Sequence, residues 1–232
     1  MSRVTVYTAI TDDRDLLREP EVVTPGVRYI CMSDYAKPVG PWEIMPVPSS
    51  LECPVRRARQ CKIICHNLLD TDISIWMDAT YTPRADMWAL ANCMVMSGDV
   101  ATFKHFCRAC VYDEAAEVIA QRLDDPALIS EQMKMLCANQ YPLMAGLSDT
   151  SILIRRHTDA VSDFCAAWWD ILSAGSRRDQ LSFDYARWKH GVRFANIPGS
   201  TREDGCHFST FQPYFAVRFR ATKRWTPPDQ TT

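Results

Sequence analysis

Residues 74–80 read Ser74-Ile75-Trp76-Met77-Asp78-Ala79-Thr80. An apolar run ends abruptly on a carboxylate, followed by a small residue and a hydroxyl. A short apolar run bounded by turn signals fits a strand covered on both faces. Asp78 then stands where that strand emerges, and in open α/β sheets ligands bind at the carboxyl ends of the strands. A carboxylate there can hold a divalent cation, and the cation a diphosphate. It can equally cap a turn, so the surrounding chain has to decide.

Just upstream, residues 55–69 (VRRARQCKIICHNLL) have helical spacing and crowd Arg56, Arg57, Arg59 and Lys62 together. Arg and Lys neutralise phosphate oxygens, which suits a diphosphate site; a solvated basic face is the plainer alternative. Residues 3–11 (RVTVYTAIT) and 27–32 (VRYICM) read as strands, the second ending at Ser33-Asp34. Residues 37–54 hold prolines at 38, 41, 46, 48 and 54, which predicts an irregular crossing without regular structure. Downstream, helices are expected over 85–96, 112–123, 126–140 and 159–172, and one opened by residues 177–183 (RRDQLSF). Strands are expected near 100–106 and over 151–156 (SILIRR), the latter ending on His157. The alternation predicts a mixed, mostly parallel α/β sheet in a single domain over 1–225, with 226–232 (TPPDQTT) a disordered tail.

Composition narrows the function. The net charge of −2 over 232 residues advertises neither a nucleic-acid footprint nor an anionic membrane surface. No apolar run reaches the ~20 residues that span a bilayer, and the first residues go straight into strand-like sequence, so no signal peptide is expected. Ten cysteines sit mostly in apolar surroundings, as buried thiols do, so a reduced cytoplasmic protein is expected. Cys107-Arg108-Ala109-Cys110, with His105 before it, lacks the second pair that a structural zinc site needs, and no zinc is expected. No Gly-rich phosphate loop is present, which argues against nucleotide hydrolases and dehydrogenases. Trp76, Trp168, Trp169 and Trp188 read as core aromatics.

Taken together, Val6-Tyr7-Thr8-Ala9-Ile10-Thr11, Tyr29 to Asp34, Ser74 to Asp78, Ile154-Arg155-Arg156-His157, the Trp168-Trp169 pair and Arg177 to Phe183 resemble a family of glycosyltransferases. The likeness in order and spacing runs from about residue 4 to about residue 190. The family has bacterial, phage and plant members and is related to the retaining nucleotide-sugar transferases of the GT-A fold. The resemblance implies a base and ribose site at Tyr7, Thr8, Ala9 and Thr11, with Asp34 beside the base. It implies a diphosphate held by Mn²⁺ or Mg²⁺ on an Asp-x-Asp motif. Here that motif reads Asp78-Ala79-Thr80, so the second carboxylate is replaced by a hydroxyl. His157 and His207 are candidates to complete the metal site. Without metal, Arg56, Arg57, Arg59 or Lys62 would carry the diphosphate. Asp179-Gln180 resembles a pair near the sugar and the reacting centre; an Asp here also suits a helix start.

The expectation is a GT-A-like transferase moving a sugar from a nucleotide-diphosphate donor to an acceptor, with the retaining outcome implied by the resemblance. The acceptor class stays open among a glycan, a protein, a small molecule and a modified nucleobase. A non-catalytic nucleotide-sugar or carbohydrate-binding protein on the same fold is the rival, supported by the incomplete Asp-x-Thr motif. A phosphotransfer or nucleotidyl enzyme using the same sheet is a second alternative.

Overall fold

The computed structural model describes residues 2–202 and 212–217; His207 and the expected tail over 226–232 lie outside them. Strand β1 (Val4–Ile10) alternates Val4, Val6 and Ile10 toward one apolar layer and Tyr7 and Ala9 toward another. Every residue of β1 is buried, as expected for a parallel strand covered on both faces. It pairs in parallel with β2 (Val27–Ser33) and β4 (Ile73–Met77), and β2 pairs in parallel with β3 (Trp42–Met45). Strand β5 (Tyr81–Pro83) forms a separate two-stranded ribbon with β9 (Phe215–Val217). The main sheet continues through β6 (Val100–Lys104), β7 (Ser148–Arg156) and β8 (Phe194–Asn196), in the order β3-β2-β1-β4-β7-β6-β8. Strand β7 pairs antiparallel with both of its neighbours, while β6 and β8 pair in parallel. In this main sheet β7 therefore runs against the others.

Helix α2 (Met87–Ser97) covers one face, burying Met87, Leu90, Ala91, Met94 and Val95 on Val6, Ile75 and Ile154. The other face carries α1 (Pro54–Ile63), α5 (Asp159–Ala174) and α6 (Gln180–His190), with Trp168 and Phe183 packed on Tyr7, Trp76 and Leu153. Helices α3 (Val111–Ala120) and α4 (Pro126–Ala138) pack against the far side of α6 through Leu181 and Tyr185. The fold is α/β: a mixed, mostly parallel sheet flanked by six helices among the described residues.

Local chemistry explains the helix ends. Asp86, Asp125 and Thr158 accept backbone N–H bonds at the starts of α2, α4 and α5, and Pro54 and Pro126 occupy first-turn positions where a missing N–H costs nothing. Gly191 ends α6 at φ 64°, a left-handed backbone that favours glycine.

Three elements differ from the sequence expectation. Regular structure does form within 37–54: β3 lies between Pro41 and Pro46, at the sheet edge, where a proline flanking a strand breaks no ladder. The helix expected over 55–69 stops at Ile63 and gives way to a short 3-10 turn, Cys65–Leu68. Strand β7 begins three residues earlier than the apolar run, at Ser148, and its antiparallel direction reverses which of its ends faces the site.

Candidate active site

The carboxyl ends of β1, β2, β4 and β6 and the amino end of β7 share one edge of the sheet. Asp78 leaves β4 there. Because side chains along a strand alternate, Trp76 and Asp78 share a face, and the Trp76 indole donates to Asp78 Oδ1 at 2.9 Å. The Tyr81 amide donates to the Asp78 carbonyl, closing a turn that presents Thr80.

Helix α1 brings Arg59 and Lys62 to this edge, three residues apart and so close enough to one helix side to act together. Lys62 Nζ lies 2.5 Å from Asp179 Oδ2 and 3.7 Å from Asp78 Oδ1. Arg59 lies 3.0 Å from Asp179 Oδ1 and 3.8 Å from Asp78 Oδ1. Thr150, on β7, donates to Asp179 Oδ2 at 2.8 Å. Asp179 is buried at the start of α6. Burial alone would raise its pKa; the charges of Arg59 and Lys62 and the hydrogen bonds outweigh it and hold the carboxyl below the usual carboxylate range.

The supporting shell is explicit. Arg155, on β7, is fully buried and donates to the carbonyls of Lys62 at 2.7 Å and Ile63 at 3.2 Å, fixing the end of α1 that carries Lys62. Asp124 accepts from the Ser176 hydroxyl at 2.6 Å and the Arg177 amide at 2.8 Å. Gln132 accepts from the Ser176 amide at 2.9 Å and donates to the Leu181 carbonyl at 3.0 Å. Gly175 sits where a Cβ would come within 2.5 Å of the Gln132 carboxamide oxygen. The loop carrying Arg178 and Asp179 is therefore pinned on both sides.

Two hollows meet at this point. One, of about 230 Å³, is lined by Ala9, Thr11, Arg14, Val55, Ala58 and Trp76. The other, of about 320 Å³, holds Asp149, Asp179, Gln180, Arg178, His105 and Arg108. Arg59, Asp78 and Thr80 line both.

Several predicted residues lie elsewhere. Tyr7 is fully buried, its hydroxyl donating to the Lys62 carbonyl and bonded by Arg155, so it braces α1 and is closed to a base. Thr8 is also fully buried, on the opposite face of β1 from Tyr7 and Ala9. Arg56 points away from the cleft and donates to the carbonyls of Leu172, Ser173 and Gly175, closing the end of α5. Lys62 is 1% exposed and lines neither hollow; it holds the two carboxylates from behind. Asp34 accepts from the Val47 amide at 3.2 Å and lies 3.9 Å from Arg57, outside both hollows. His157 lies at the far end of β7: its neighbour Arg156 pairs with Ile73, at the start of β4, whereas Ile152 pairs with Met77. At about 3.3 Å per residue over six residues it is roughly 20 Å from Asp78. It packs edge-on against His66, with ring centroids 5.1 Å apart. Trp188 is 47% exposed and rests against Tyr141, away from the cleft.

Asp149 and Thr150 take the place expected for His157. A bulge shifts the β6–β7 register between Ala101 and Phe103, where Thr102 donates to the carbonyls of Asp149 and Ile152. Bulges re-aim side chains beside active sites. Asp149 itself is held by the Ser151 amide at 3.0 Å, the Ser151 hydroxyl at 2.5 Å and the Thr201 hydroxyl. The visible signal was the polar Ser148-Asp149-Thr150 ahead of the apolar run.

The fit to a divalent ion is poor. Asp78 Oδ1 already faces an indole N–H and two cations, and those cations fill the space between it and Asp179. Thr80 stands where a second carboxylate was expected. Among the described residues no group of three His, Cys, Asp or Glu side chains is arranged to hold a metal. Near the Cys107–Cys110 pair, His105 Nδ1 accepts from the Arg108 amide at 3.1 Å and its Nε2 lies 3.7 Å from Glu114. The nine cysteines described are all free thiols.

Sheet order, reversed β7 and a polar cleft at the strand ends define a GT-A-like fold. Residues 27–197 match the family model described as "TOD1/MUCI70, glycosyltransferase-like domain", and the chain belongs to that family. It is 26% identical over 170 residues to alkaline ceramidase TOD1 of Arabidopsis thaliana, and spans 36% of that protein's length. Among solved structures it is similar to mouse xyloside xylosyltransferase 1 (TM-score 0.50, 8% identity, 85% of each chain covered). It is similar also to the bifunctional glycosyltransferase WbbM (TM-score 0.50, 11% identity, 85% of this chain and 39% of that one). Among the described residues no helix is long and apolar enough to cross a membrane.

Proposed function

We propose that the chain is a glycosyltransferase that moves a sugar from a nucleotide-diphosphate donor to an acceptor hydroxyl or amine. The observation that carries this reading is the meeting of two hollows at Arg59, Asp78 and Thr80 beside an Asp179 held ionised. The nucleoside occupies the hollow of Ala9, Thr11 and Arg14. Its diphosphate lies at Arg59, whose fixed charge meets the negative charge that develops on the departing nucleoside diphosphate. The sugar lies against Asp179, Gln180 and Asp149. Asp179 stabilises positive charge at the oxocarbenium-like centre, and the Gln180 amide hydrogen-bonds the sugar or the acceptor. The configuration is retained when the acceptor attacks from the side the diphosphate leaves, with a phosphate oxygen taking the acceptor proton. Fixed cations do the work a resident Mn²⁺ or Mg²⁺ would otherwise supply. Nucleotide sugars and free thiols both suit a cytoplasmic setting.

The Arabidopsis relative is named an alkaline ceramidase, a name that points to a lipid substrate. A cleft lined with charges and hydroxyls suits a sugar better than acyl chains. A panel of nucleotide sugars, screened by thermal shift with and without Mn²⁺, tests the proposal, since a ligand of the folded state raises its melting point. A donor that stabilises the chain and is then cleaved supports it. Stabilisation without cleavage in the presence of glycan, peptide, small-molecule and nucleobase acceptors favours the non-catalytic rival.

A further inference from the structure

The cleft's charges are unevenly matched. Arg59 faces Asp179 and Asp78, and Arg108 lies 2.5 Å from Glu114 and 3.9 Å from Glu117. Arg178, half-buried on the same wall, has no carboxylate within ion-pair distance among the described residues, and its Nε is buried without a hydrogen-bond partner. Its backbone is fixed: the Arg178 amide donates to Ser176 Oγ at 3.1 Å, and the flanking loop is tied to Asp124 and Gln132. Burial and then repulsion from Arg59 press its pKa down, a cost that the charges of Asp179, Glu114 and Asp78 offset only in part. A guanidinium held at such a cost in an open cleft is complementary to an anion that arrives with a ligand.

Arg178 lines only the 320 Å³ hollow, not the 230 Å³ one that takes the nucleoside, while Arg59 spans the junction. We infer that Arg178 is a specificity-determining residue that binds a phosphate or carboxylate carried by the sugar-side ligand, so that this site selects an anionic sugar or acceptor over a neutral one. Arg202 lines the same hollow, its guanidinium 4.4 Å from the centre of the Phe106 ring, and adds positive charge at the cleft mouth. The inference rests on the proposed donor site for its orientation but not for its measurement.

The test is calorimetric titration of the full chain and of Arg178→Gln, with Arg178→Lys as the charge-retaining control. The probes are glucose 6-phosphate, glucuronate and glucose, with and without saturating uridine diphosphate, and separately uridine diphosphate glucuronate and uridine diphosphate glucose. The expected result is that the wild type binds an anionic probe about tenfold or more tighter than glucose, and that Arg178→Gln loses this preference while Arg178→Lys keeps part of it. Preference for free anionic probes over glucose that persists with saturating uridine diphosphate, without discrimination between the two uridine diphosphate sugars, places the anion on the acceptor. Tighter binding of uridine diphosphate glucuronate than of uridine diphosphate glucose, lost in Arg178→Gln, places it on the transferred sugar. Equal binding of anionic and neutral probes overturns the inference. So does an Arg178→Gln that weakens uridine diphosphate itself by the same factor, which would put Arg178 on the donor diphosphate. If uridine diphosphate does not bind but the anionic preference is present and depends on Arg178, the inference stands and the donor reading fails.

Discussion

Lys62 and Asp179 lie 117 residues apart in sequence, and their side chains meet at 2.5 Å in a buried ion pair at the base of the cleft. Helix α1 and the start of α6 are joined there to each other and, through Asp78, to the end of β4. Removing Lys62 takes away one of two cations on Asp179, which keeps Arg59 and the Thr150 hydroxyl. We therefore expect Lys62→Met to lower unfolding free energy in urea titrations by about 3 kcal/mol or less, below the ~3–5 kcal/mol of a fully stranded charge. The double variant Lys62→Met, Asp179→Leu should recover part of that loss, because neither buried charge remains.

Arg56 should behave differently from Arg59. It donates to three carbonyls at the end of α5 and touches neither hollow. Arg56→Ala is expected to cost about 1.5–3 kcal/mol of stability, the range for hydrogen bonds from a charged donor. The dissociation constant for nucleoside diphosphate should stay within about twofold, less than the tenfold that 1.4 kcal/mol represents. Calorimetric titration beside denaturant unfolding checks both halves.

Stability should fall as the solution becomes mildly acidic. Burial, followed by repulsion from Arg155, holds His157 down at about 4; the same two causes, with His157 added, hold His66 down at about 2. Both lie below the unfolded value of ~6.5, so the unfolded chain takes up these protons first. Stability is thus fully present above pH ~6.5 and declines by roughly 1.4 kcal/mol per pH unit for each histidine, ending for His157 near its folded value. Asp179, with its pKa depressed, adds a further loss only below pH ~4, the unfolded carboxylate value. His157→Gln should flatten the decline between pH 6 and 4.5 in thermal melts taken at about half-unit steps.

Chelation should leave the chemistry in place. With Arg59 at the junction of the two hollows and Lys62 behind Asp78, nucleoside diphosphate binding is expected to change less than about threefold in EDTA. Loss of binding in EDTA, restored by Mn²⁺, would mean that an ion completes Asp78 after all.

The strand that ends on Asp78 was legible because an apolar run, a carboxylate and a turn carry their own physics. That Asp179 and Gln180 lie at the same cleft as Asp78 agrees with the position implied by the likeness of their surrounding block. Strand direction was not: the period of SILIRR is the same whichever way β7 runs, so His157 was put at the site and Asp149 and Thr150 were not. Tyr7 misled for a related reason, since a strand covered on both faces hides all its side chains, polar ones included. Arg56 and Arg59 are three residues apart on one helix, and only the position of α5 shows that the first closes a helix end while the second faces the cleft. The pinning of the Arg178–Asp179 loop by Asp124 and Gln132 needed the tertiary fold.

The central claim is that the cleft at Arg59, Asp78, Asp179 and Gln180 cleaves a nucleotide sugar. Gln180 lines it as the first residue of α6 and takes no part in the ionic network, so Gln180→Ala removes a contact with little structural cost. The most direct measurement is nucleoside diphosphate release from the best-stabilising donor, by the wild type and by Gln180→Ala, beside their melting temperatures. We predict release by the wild type and a fall of about 10²–10³ in the variant, the range for losing one transition-state hydrogen bond, with the melting temperature unchanged. Release that is undiminished in Gln180→Ala would contradict the account.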